Sequence, residues 1–313
     1  MSHDMAGATL MAIGSSAPEL FVALIAVFKP GGHVDIGIGT IVGSALFNLL
    51  VIVGVVGLVK KSTLAWQPVV RDLLFYAIAI IALYWVLNNG SVSITEASIF
   101  ILLYVIYVFA VVNWRKWLKY DVFDEEPEED EEEAKTGIMR LFQPFDWVLE
   151  VIFPRPKYYF IIFFISIAFI GALCWVLVES AIVISTTLDI PEVVIALTVL
   201  AVGTSVPDMM SSVIVAKQGR GGMAVSNGIG SNIFDIFVGL GLPWLIKSYL
   251  VDADIVTNIE GLEISIALLF GSVLLLLLAL MIKRWRLNKG LGIVLVSLYI
   301  LYVIWEIIRL YLF

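Results

Sequence analysis

Nine segments of the chain are apolar over about the length that a helix needs to cross a bilayer. They lie at about residues 5–28, 37–59, 72–88, 94–113, 157–179, 190–216, 223–246, 260–282 and 290–312. In lipid, a chain must satisfy its backbone polar groups internally, so it crosses as helices or as a closed barrel. These segments lack the two-residue alternation of barrel strands, which favours helices. The sequence therefore predicts an all-α integral membrane protein with about nine transmembrane helices.

The composition agrees with a membrane protein and excludes several other classes. Hydrophobic residues make up 61% of the 313 residues and charged residues 15%, whereas a soluble domain has about 25% charged residues. The net charge of -8 comes mostly from one acidic run, so it indicates no nucleic-acid partner. The single cysteine, Cys174, cannot form an internal disulfide, and His3 and His33 cannot form a spaced metal cluster by themselves. We expect the lipid bilayer as a partner and no cofactor, and the oligomeric state stays open.

The basic residues orient the predicted helices. If successive loops alternate between the two sides of the membrane, 16 of the 19 lysines and arginines fall on one side. Only Lys29, Lys247 and Arg309 fall on the other. Loops rich in lysine and arginine are cytoplasmic in most membrane proteins, so the first side is predicted to be cytoplasmic. We expect the plasma membrane as the location.

A polar linker, residues 114–156, divides the chain into a first half with four spans (1–113) and a second half with five spans (157–313). The charge rule makes this linker cytoplasmic. Its acidic run at 121–133, DVFDEEPEEDEEE, predicts a solvated tether. The aromatic and amphipathic stretch at 138–153 predicts a segment that lies along the inner membrane surface.

Two pairs of short polar motifs repeat between the halves. Residues 12–20 read AIGSSAPEL and residues 201–209 read AVGTSVPDM, so each places a proline and a carboxylate inside an apolar segment. A second pair follows, GSALFN at 43–48 and GSNIFD at 230–235. From the carboxylate of the first motif to the end of the second there are 29 residues in one half and 27 in the other. The first motifs occupy the first and sixth spans, which cross in opposite directions. This pattern predicts an inverted-repeat transporter with a site near the bilayer midplane.

The halves differ at their beginnings. One span, 157–179, precedes the motif of the second half, whereas the first half begins almost at its motif. The symmetry of the repeat therefore predicts that a first helix is missing, through a truncated sequence, a wrongly assigned start or divergence.

The motifs place hydroxyls and carboxylates on shared helix faces. On a helix, Ser15 and Ser16 lie on the same face as Glu19. The matching positions in the other motifs are Thr204, Ser205, Asp208, Ser44, Asn48, Ser231 and Asp235. Pro18 and Pro207 cannot donate backbone hydrogen bonds, which frees carbonyl oxygens beside the carboxylates.

These groups predict a cage that contains only oxygen ligands. Calcium and sodium prefer such ligands, whereas zinc and copper prefer His or Cys, and magnesium resists cages made entirely of protein groups. Glu19, Asp208 and Asp235 carry a formal charge of -3. One calcium ion leaves one negative charge, which a monovalent cation or a proton on one carboxyl would neutralise.

The motifs resemble the alpha repeats of the cation/calcium exchanger superfamily, most closely the sodium/calcium exchangers, including the potassium-dependent branch. The resemblance covers about 5–60 and 190–245. It implies a ten-helix inverted-repeat fold, here without its first helix, that exchanges sodium for calcium by alternating access. The aspartate at 235 is typical of the potassium-dependent branch, although some microbial exchangers that need no potassium share it. Potassium co-transport is therefore a hypothesis.

The resemblance also implies a role for each motif position. Glu19 and Asp208 are the implied central calcium ligands, which sodium shares, and Asn48 and Asp235 complete the centre. The remaining implied positions, which supply backbone carbonyls to calcium or line sodium sites, are Ser15, Thr204, Ala12, Ser16, Ser44, Ala201, Ser205 and Ser231.

Three alternatives stay open at this point. A proton/calcium or other cation/calcium antiporter of the same superfamily ranks lower, because proton/calcium exchangers typically lack the Pro-acid pair. A cation channel usually forms its pore through oligomer symmetry, whereas this chain carries its symmetry internally. Asp208 and Asp235 could form an intramembrane aspartyl protease dyad, but a protease would not explain Glu19 or Asn48.

Overall fold

The computed structural model describes residues 3–120, 159–257 and 261–312. Within these residues, eight helices are long and apolar enough to cross a membrane, and a bent helix pair at the start raises the number to nine. We number them α1 to α9. Their bounds are His3–Ser15 with Ala17–Phe28 (α1), Val34–Val59 (α2), Trp66–Asn88 (α3), Ile94–Trp117 (α4), Tyr159–Leu188 (α5), Glu192–Lys217 (α6), Gly221–Val251 (α7), Glu263–Ile282 (α8) and Lys289–Leu312 (α9). The predicted all-α architecture with about nine spans is confirmed.

Some predictions fall outside the described residues. The acidic run at 121–133 and the amphipathic stretch at 138–153 both lie there. The division of the chain around a 114–156 linker and the missing first helix stay predictions.

Two helices extend beyond the predicted apolar segments. The third segment was expected to begin at residue 72, but α3 begins at Trp66 and therefore contains both Arg71 and Asp72. The fifth was expected to end at 179, but α5 continues to Leu188. The predicted third segment left out Arg71, whereas the guanidinium of Arg71 lies 2.7 Å from the Asp72 carboxylate and the pair stays buried inside the helix.

The first motif of each half interrupts its helix at the same place. In α1, a π-helical turn at Gly7–Met11 is followed by a break at Ser16, where the helix bends by 45°. In α6, a π-helical turn at Ala196–Leu200 is followed by a break at Ser205. The motif proline sits in the first turn after each break, where its missing N–H costs nothing. The motif is thus two helical pieces and not the single helix on which the hydroxyls were predicted to share a face.

The second motif of each half ends in a further π-helical turn. These turns are Asn48–Ile52 in α2 and Asp235–Leu240 in α7. Such turns are rare and often occur at functional sites. Each of the four π-helical turns of the described helices therefore directly precedes a predicted ion-binding motif or begins at its last residue.

Two short antiparallel ribbons confirm the inverted repeat. Strand β1 (Ser62–Thr63) pairs with β4 (Arg286–Leu287), and β2 (Ser91–Val92) pairs with β3 (Ile255–Val256). The first ribbon joins the α2–α3 and α8–α9 connections, and the second joins the α3–α4 and α7–α8 connections. The α2–α3 connection of the first half corresponds to the α7–α8 connection of the second, and α3–α4 corresponds to α8–α9. The symmetry between the halves therefore relates one ribbon to the other. We call the face of the β1–β4 ribbon the inner face and that of the β2–β3 ribbon the outer face.

The motif helices of the second pair form the centre of the molecule. In their most apolar stretches, 83% of the residues of α2 and 78% of those of α7 are buried, against 11% in α5. Helix α5 covers α1 from outside, where Cys174 packs with Val22 and Ala26. The fold therefore surrounds α2 and α7 with protein and leaves α5 at the periphery.

Candidate ion-binding site

Three carboxylates meet in the middle of the molecule. Glu19 of α1, Asp208 of α6 and Asp235 of α7 each offer an oxygen atom, and these atoms lie within 4.8 Å of one another. All three side chains are completely buried. Like charges this close cannot stay buried together unless a cation or a proton neutralises them. The acids of the two halves thus share one site, as their motifs predicted.

Glu19 and Asp208 each receive a hydrogen bond from the opposite half. The Ser205 hydroxyl donates to Glu19 Oε1 at 3.3 Å. The Asn48 side-chain amide donates to Asp208 Oδ2 at 3.1 Å. Ser231 adds a bond within the second half, because its hydroxyl donates to Asp208 Oδ1 at 3.2 Å. The breaks in α1 and α6 thus bring the two repeats into one polar centre.

Several oxygen atoms of this centre have no hydrogen-bond partner among the described residues. They are Ser16 Oγ, Glu19 Oε2, Asn48 Oδ1 and both carboxylate oxygens of Asp235. Buried polar atoms are nearly always satisfied, and leaving one unsatisfied costs about 1–3 kcal/mol. Five such oxygens, three of them from the carboxylates themselves, are the kind of ligand that a hard cation requires.

Other predicted positions lie on the motif helices but bond to their own backbone. The hydroxyls of Ser15, Ser44 and Thr204 each contact a carbonyl of the preceding turn, at 2.9, 3.0 and 3.5 Å. The carbonyls of Ala12 and Ala201 accept from the amides of the residues at the two breaks. The roles of these five residues as ligands stay predictions.

Polar residues around the site were missed by the sequence analysis. The Asn227 amide donates to Ser212 Oγ at 2.9 Å and approaches the Asp208 carbonyl at 3.5 Å. The Asn232 amide donates to the Ala45 carbonyl at 3.0 Å. Both asparagines belong to α7, whose sequence SNGIGSN is unusually polar for a span, and this was the available signal.

Comparisons with known proteins indicate the family of the chain. A family model described as "Sodium/calcium exchanger protein" matches residues 1–113 and 158–308. Human "Sodium/potassium/calcium exchanger 5" is 33% identical over 370 residues, which cover 94% of this chain and 73% of the human protein. Human "Sodium/potassium/calcium exchanger 4" is 28% identical over 471 residues, which cover 98% of this chain and 75% of that protein.

A solved structure of the sodium-calcium exchanger NCX_Mj has the same fold. Its TM-score is 0.62 and its sequence identity 25%, and the match covers 97% of this chain and 86% of NCX_Mj. The alignment spans nearly all of the chain, so the likeness extends well beyond the four motifs. The chain therefore belongs to the sodium/calcium exchanger family, whose members are multi-pass membrane antiporters and not channels or proteases.

Proposed function

We propose that the three buried carboxylates bind the cations that this antiporter exchanges, with sodium bound in one half of the transport cycle and calcium in the other. The observation that carries the proposal is the convergence of Glu19, Asp208 and Asp235 with unpaired oxygen atoms around them. Calcium and sodium prefer such oxygen ligands. Three carboxylates that are buried this close together need bound cations to be stable. The predicted roles of Ser16, Ser205, Asn48 and Ser231 are part of the same proposal.

Charge neutrality supports potassium as a third transported ion. The site carries a formal charge of -3, and one calcium with one potassium ion would neutralise it. A proton on one carboxyl is the competing way to remove the remaining charge. The relatives named above are called sodium/potassium/calcium exchangers. We therefore favour potassium over the proton, and for the same reason sodium over the proton as the driving ion.

The same charge explains why transport is an exchange and not a leak. A loaded site is neutral and can be carried through the low-dielectric interior, whereas an empty site would bury three negative charges. The conformational change is therefore favourable only with cargo bound. Sodium and calcium then compete for Glu19 and Asp208.

The orientation and location are part of this proposal. Because 16 of the 19 basic residues fall on one side, we assign the inner face and the 114–156 linker to the cytoplasm and the protein to the plasma membrane. A protease site placed in the linker would test the orientation. Cleavage in intact cells would contradict it, and cleavage only after permeabilisation would support it.

Sodium-gradient-driven uptake of radioactive calcium into proteoliposomes tests the proposal. Uptake should require the sodium gradient and should fall when potassium is withdrawn from the calcium side. Unchanged flux without potassium would remove potassium from the mechanism. Uptake driven by a pH gradient in place of sodium would favour the proton/calcium alternative.

The substitution Glu19→Gln tests the site itself. It removes one charge and one calcium ligand while keeping the shape of the side chain, so calcium uptake should fall to background. The matched control is Glu263→Gln, because Glu263 is an exposed residue at the start of α8. Normal uptake by Glu19→Gln, with folded protein confirmed by gel filtration, would contradict the assignment.

A further inference from the structure

A second buried charged group lies at the inner face, away from the ion-binding motifs. We define the inner cluster as Asp4, Arg71, Asp72, Tyr107, Tyr120 and Ser226. Arg71 Nε donates to Asp72 Oδ1 at 2.7 Å, and Tyr107 donates to the same oxygen at 3.2 Å. Ser226 donates to Asp72 Oδ2, also at 3.2 Å. Asp72 thus connects α3 to α4 and α7.

The same cluster holds the first turn of α1. The Tyr120 hydroxyl donates to Asp4 Oδ2 at 2.5 Å, and the Arg71 guanidinium lies 3.9 Å from that oxygen. Burial and the bond to Asp4 raise the pKa of Tyr120, so this hydroxyl stays a donor at neutral pH. The inner end of α1 is therefore tied to its neighbours by polar contacts that are sealed from solvent.

A corresponding group lies at the outer face. We define the outer cluster as Ser265, Tyr302, Glu306 and Arg309. Ser265 Oγ donates to Glu306 Oε1 at 3.2 Å, and Tyr302 donates to Ser265 at 3.3 Å. The Arg309 guanidinium lies 3.8 Å from Glu306 Oε2. Glu306 is almost completely buried, at 1% exposure.

The inverted repeat relates the two clusters. Helix α4 carries Tyr104 and Tyr107, and α9 carries Tyr299 and Tyr302 at the same spacing and the same distance from the helix start. In each half, the second tyrosine donates to a buried polar side chain near the start of the preceding helix, α3 or α8. The clusters are therefore counterparts at opposite faces, and each includes an ion pair, which is buried at the inner face and has a partly exposed arginine at the outer face.

The two clusters differ in their contact with the motif helix that they face. The inner cluster bonds to the first turn of α1 through Asp4. At the outer face, Glu306 and Arg309 line a cavity of about 640 Å³ together with Glu192 and Val193, the first turn of α6. Between this turn and the outer cluster, the described residues show no hydrogen bond or ion pair, and Glu192 contacts His33 instead. The first turn of α1 is therefore in contact with the inner cluster, whereas a cavity separates the first turn of α6 from the outer cluster.

Stability alone does not explain charges at these positions. A buried ion pair can usually be replaced by apolar residues of similar volume without loss of stability, because desolvation offsets the attraction between the charges. For the same reason, such a pair can separate into water at little net cost. Contacts of this kind suit an interface that has to open and close repeatedly.

We propose that the inner and outer clusters are the two gates of this exchanger, and that they close in turn on α1 and on α6. In the present conformation the inner gate is closed and the outer gate is open. In the opposite conformation, Asp4 leaves Tyr120 and Arg71, and the first turn of α6 closes on Glu306 and Arg309. The proposal rests on the function proposed above, because gates are needed only if the ion-binding site opens to the two faces in turn. It assigns the opening and closing of each face to named residues that touch no transported ion.

Cysteine labelling in both directions tests the gates without requiring transport. In a Cys174→Ser background, Met5→Cys reports the inner face and Val194→Cys the outer cavity, since residues 5 and 194 occupy matching positions of α1 and α6. Both are labelled with a water-soluble maleimide in purified, folded protein. The inner-gate variant Tyr120→Phe, which removes the hydrogen bond to Asp4, should raise the labelling rate of Met5→Cys about fivefold, the effect of one lost hydrogen bond, and lower that of Val194→Cys.

Outer-gate variants should act in the opposite direction. Glu306→Gln and Arg309→Gln change the two side chains on which the first turn of α6 is proposed to close, so they weaken the conformation in which the outer face is closed and should lower the labelling of Met5→Cys. General loosening of the fold would raise labelling at both positions from either cluster, and that result would overturn the proposal. Calcium uptake is measured on the same preparations. Normal sodium-driven uptake without opposite shifts rejects the gates alone, whereas opposite shifts without uptake reject the proposed function alone.

Discussion

The two halves of the molecule share a scaffold but contribute unequal charges to the site. Both halves have a π-helical turn and a break in their first motif helix, and their short ribbons exchange under the repeat. The first half supplies one carboxylate, Glu19, and an amide at Asn48. The second half supplies two carboxylates, Asp208 and Asp235. Symmetry is thus kept in the helices and ribbons of the scaffold and lost in the charged groups of the proposed ion-binding site.

The largest expected effect comes from removing this inequality of charge. Asn48 donates to Asp208 across 3.1 Å, so Asn48→Asp would place two carboxylates at that distance and raise the formal charge of the site to -4. Two like charges at about 3 Å cannot both stay ionised in a buried site. We expect calcium uptake in proteoliposomes to fall at least about a hundredfold.

The opposite change, which removes a carboxylate from the second half, tests whether the total charge of the site or the placement of its charges determines transport. Asp235→Asn lowers the formal charge to -2, which calcium alone neutralises, so uptake should persist and no longer respond to potassium. In the double variant Asn48→Asp with Asp235→Asn, the charge returns to -3 and part of the lost flux should return. If potassium still stimulates the Asp235→Asn variant, neutrality is not the origin of any potassium requirement.

A smaller effect tests the symmetry of the scaffold. A Cβ atom at Gly43 of α2 would lie 2.4 Å from the Leu197 carbonyl oxygen, and one at Gly230 of α7 would lie 2.8 Å from backbone atoms of Ala8. Alanine at either position must push two helices apart, at a cost of about 1–3 kcal/mol. We expect both variants to unfold at lower temperature in detergent, Gly43→Ala more so because its contact is closer.

The chain offers matched controls for these glycines. Gly14 and Gly203 occupy corresponding positions in the first motifs, and a Cβ atom at either would meet nothing within 4 Å. Alanine at Gly14 or Gly203 should leave the unfolding temperature nearly unchanged. Equal destabilisation at all four positions would mean that helix flexibility, and not close approach, is the reason for glycine.

The sequence was sufficient to predict the fold class and the central carboxylates. Glu19, Asp208 and Asp235 stand out because an acid inside an apolar span is costly and rarely kept for packing alone. The inverted orientation followed from counting spans between equal motifs, which needs no knowledge of packing. Features of this kind depend on contrasts that are visible along the chain.

The features that the sequence did not predict depend on pairing between distant helices. Asp72 lies at the edge of its predicted apolar segment, and nothing in that segment indicated that Tyr107 and Ser226 donate hydrogen bonds to it inside the protein. Glu306 lies within the last span, and its partner Ser265 is on another helix. Nothing local to these residues indicates their partners. The prolines of the motifs were a local signal that the helices are disturbed there. A proline alone does not distinguish a kinked helix from a helix that breaks into two pieces.

The smallest expected effect distinguishes two serines at equivalent positions. Ser231 donates to Asp208 Oδ1 at 3.2 Å, whereas Ser44 donates to the Ile41 carbonyl of its own helix at 3.0 Å. Loss of a hydrogen bond that orients a ligand carboxylate typically lowers the affinity for the cation by at least about tenfold. Ser231→Ala should therefore raise the half-saturating calcium concentration for sodium-driven uptake about tenfold, and Ser44→Ala less than about twofold. Equal shifts would imply that Ser44 leaves its backbone bond when cations bind, so that the occupied site is more symmetric than the scaffold contacts indicate.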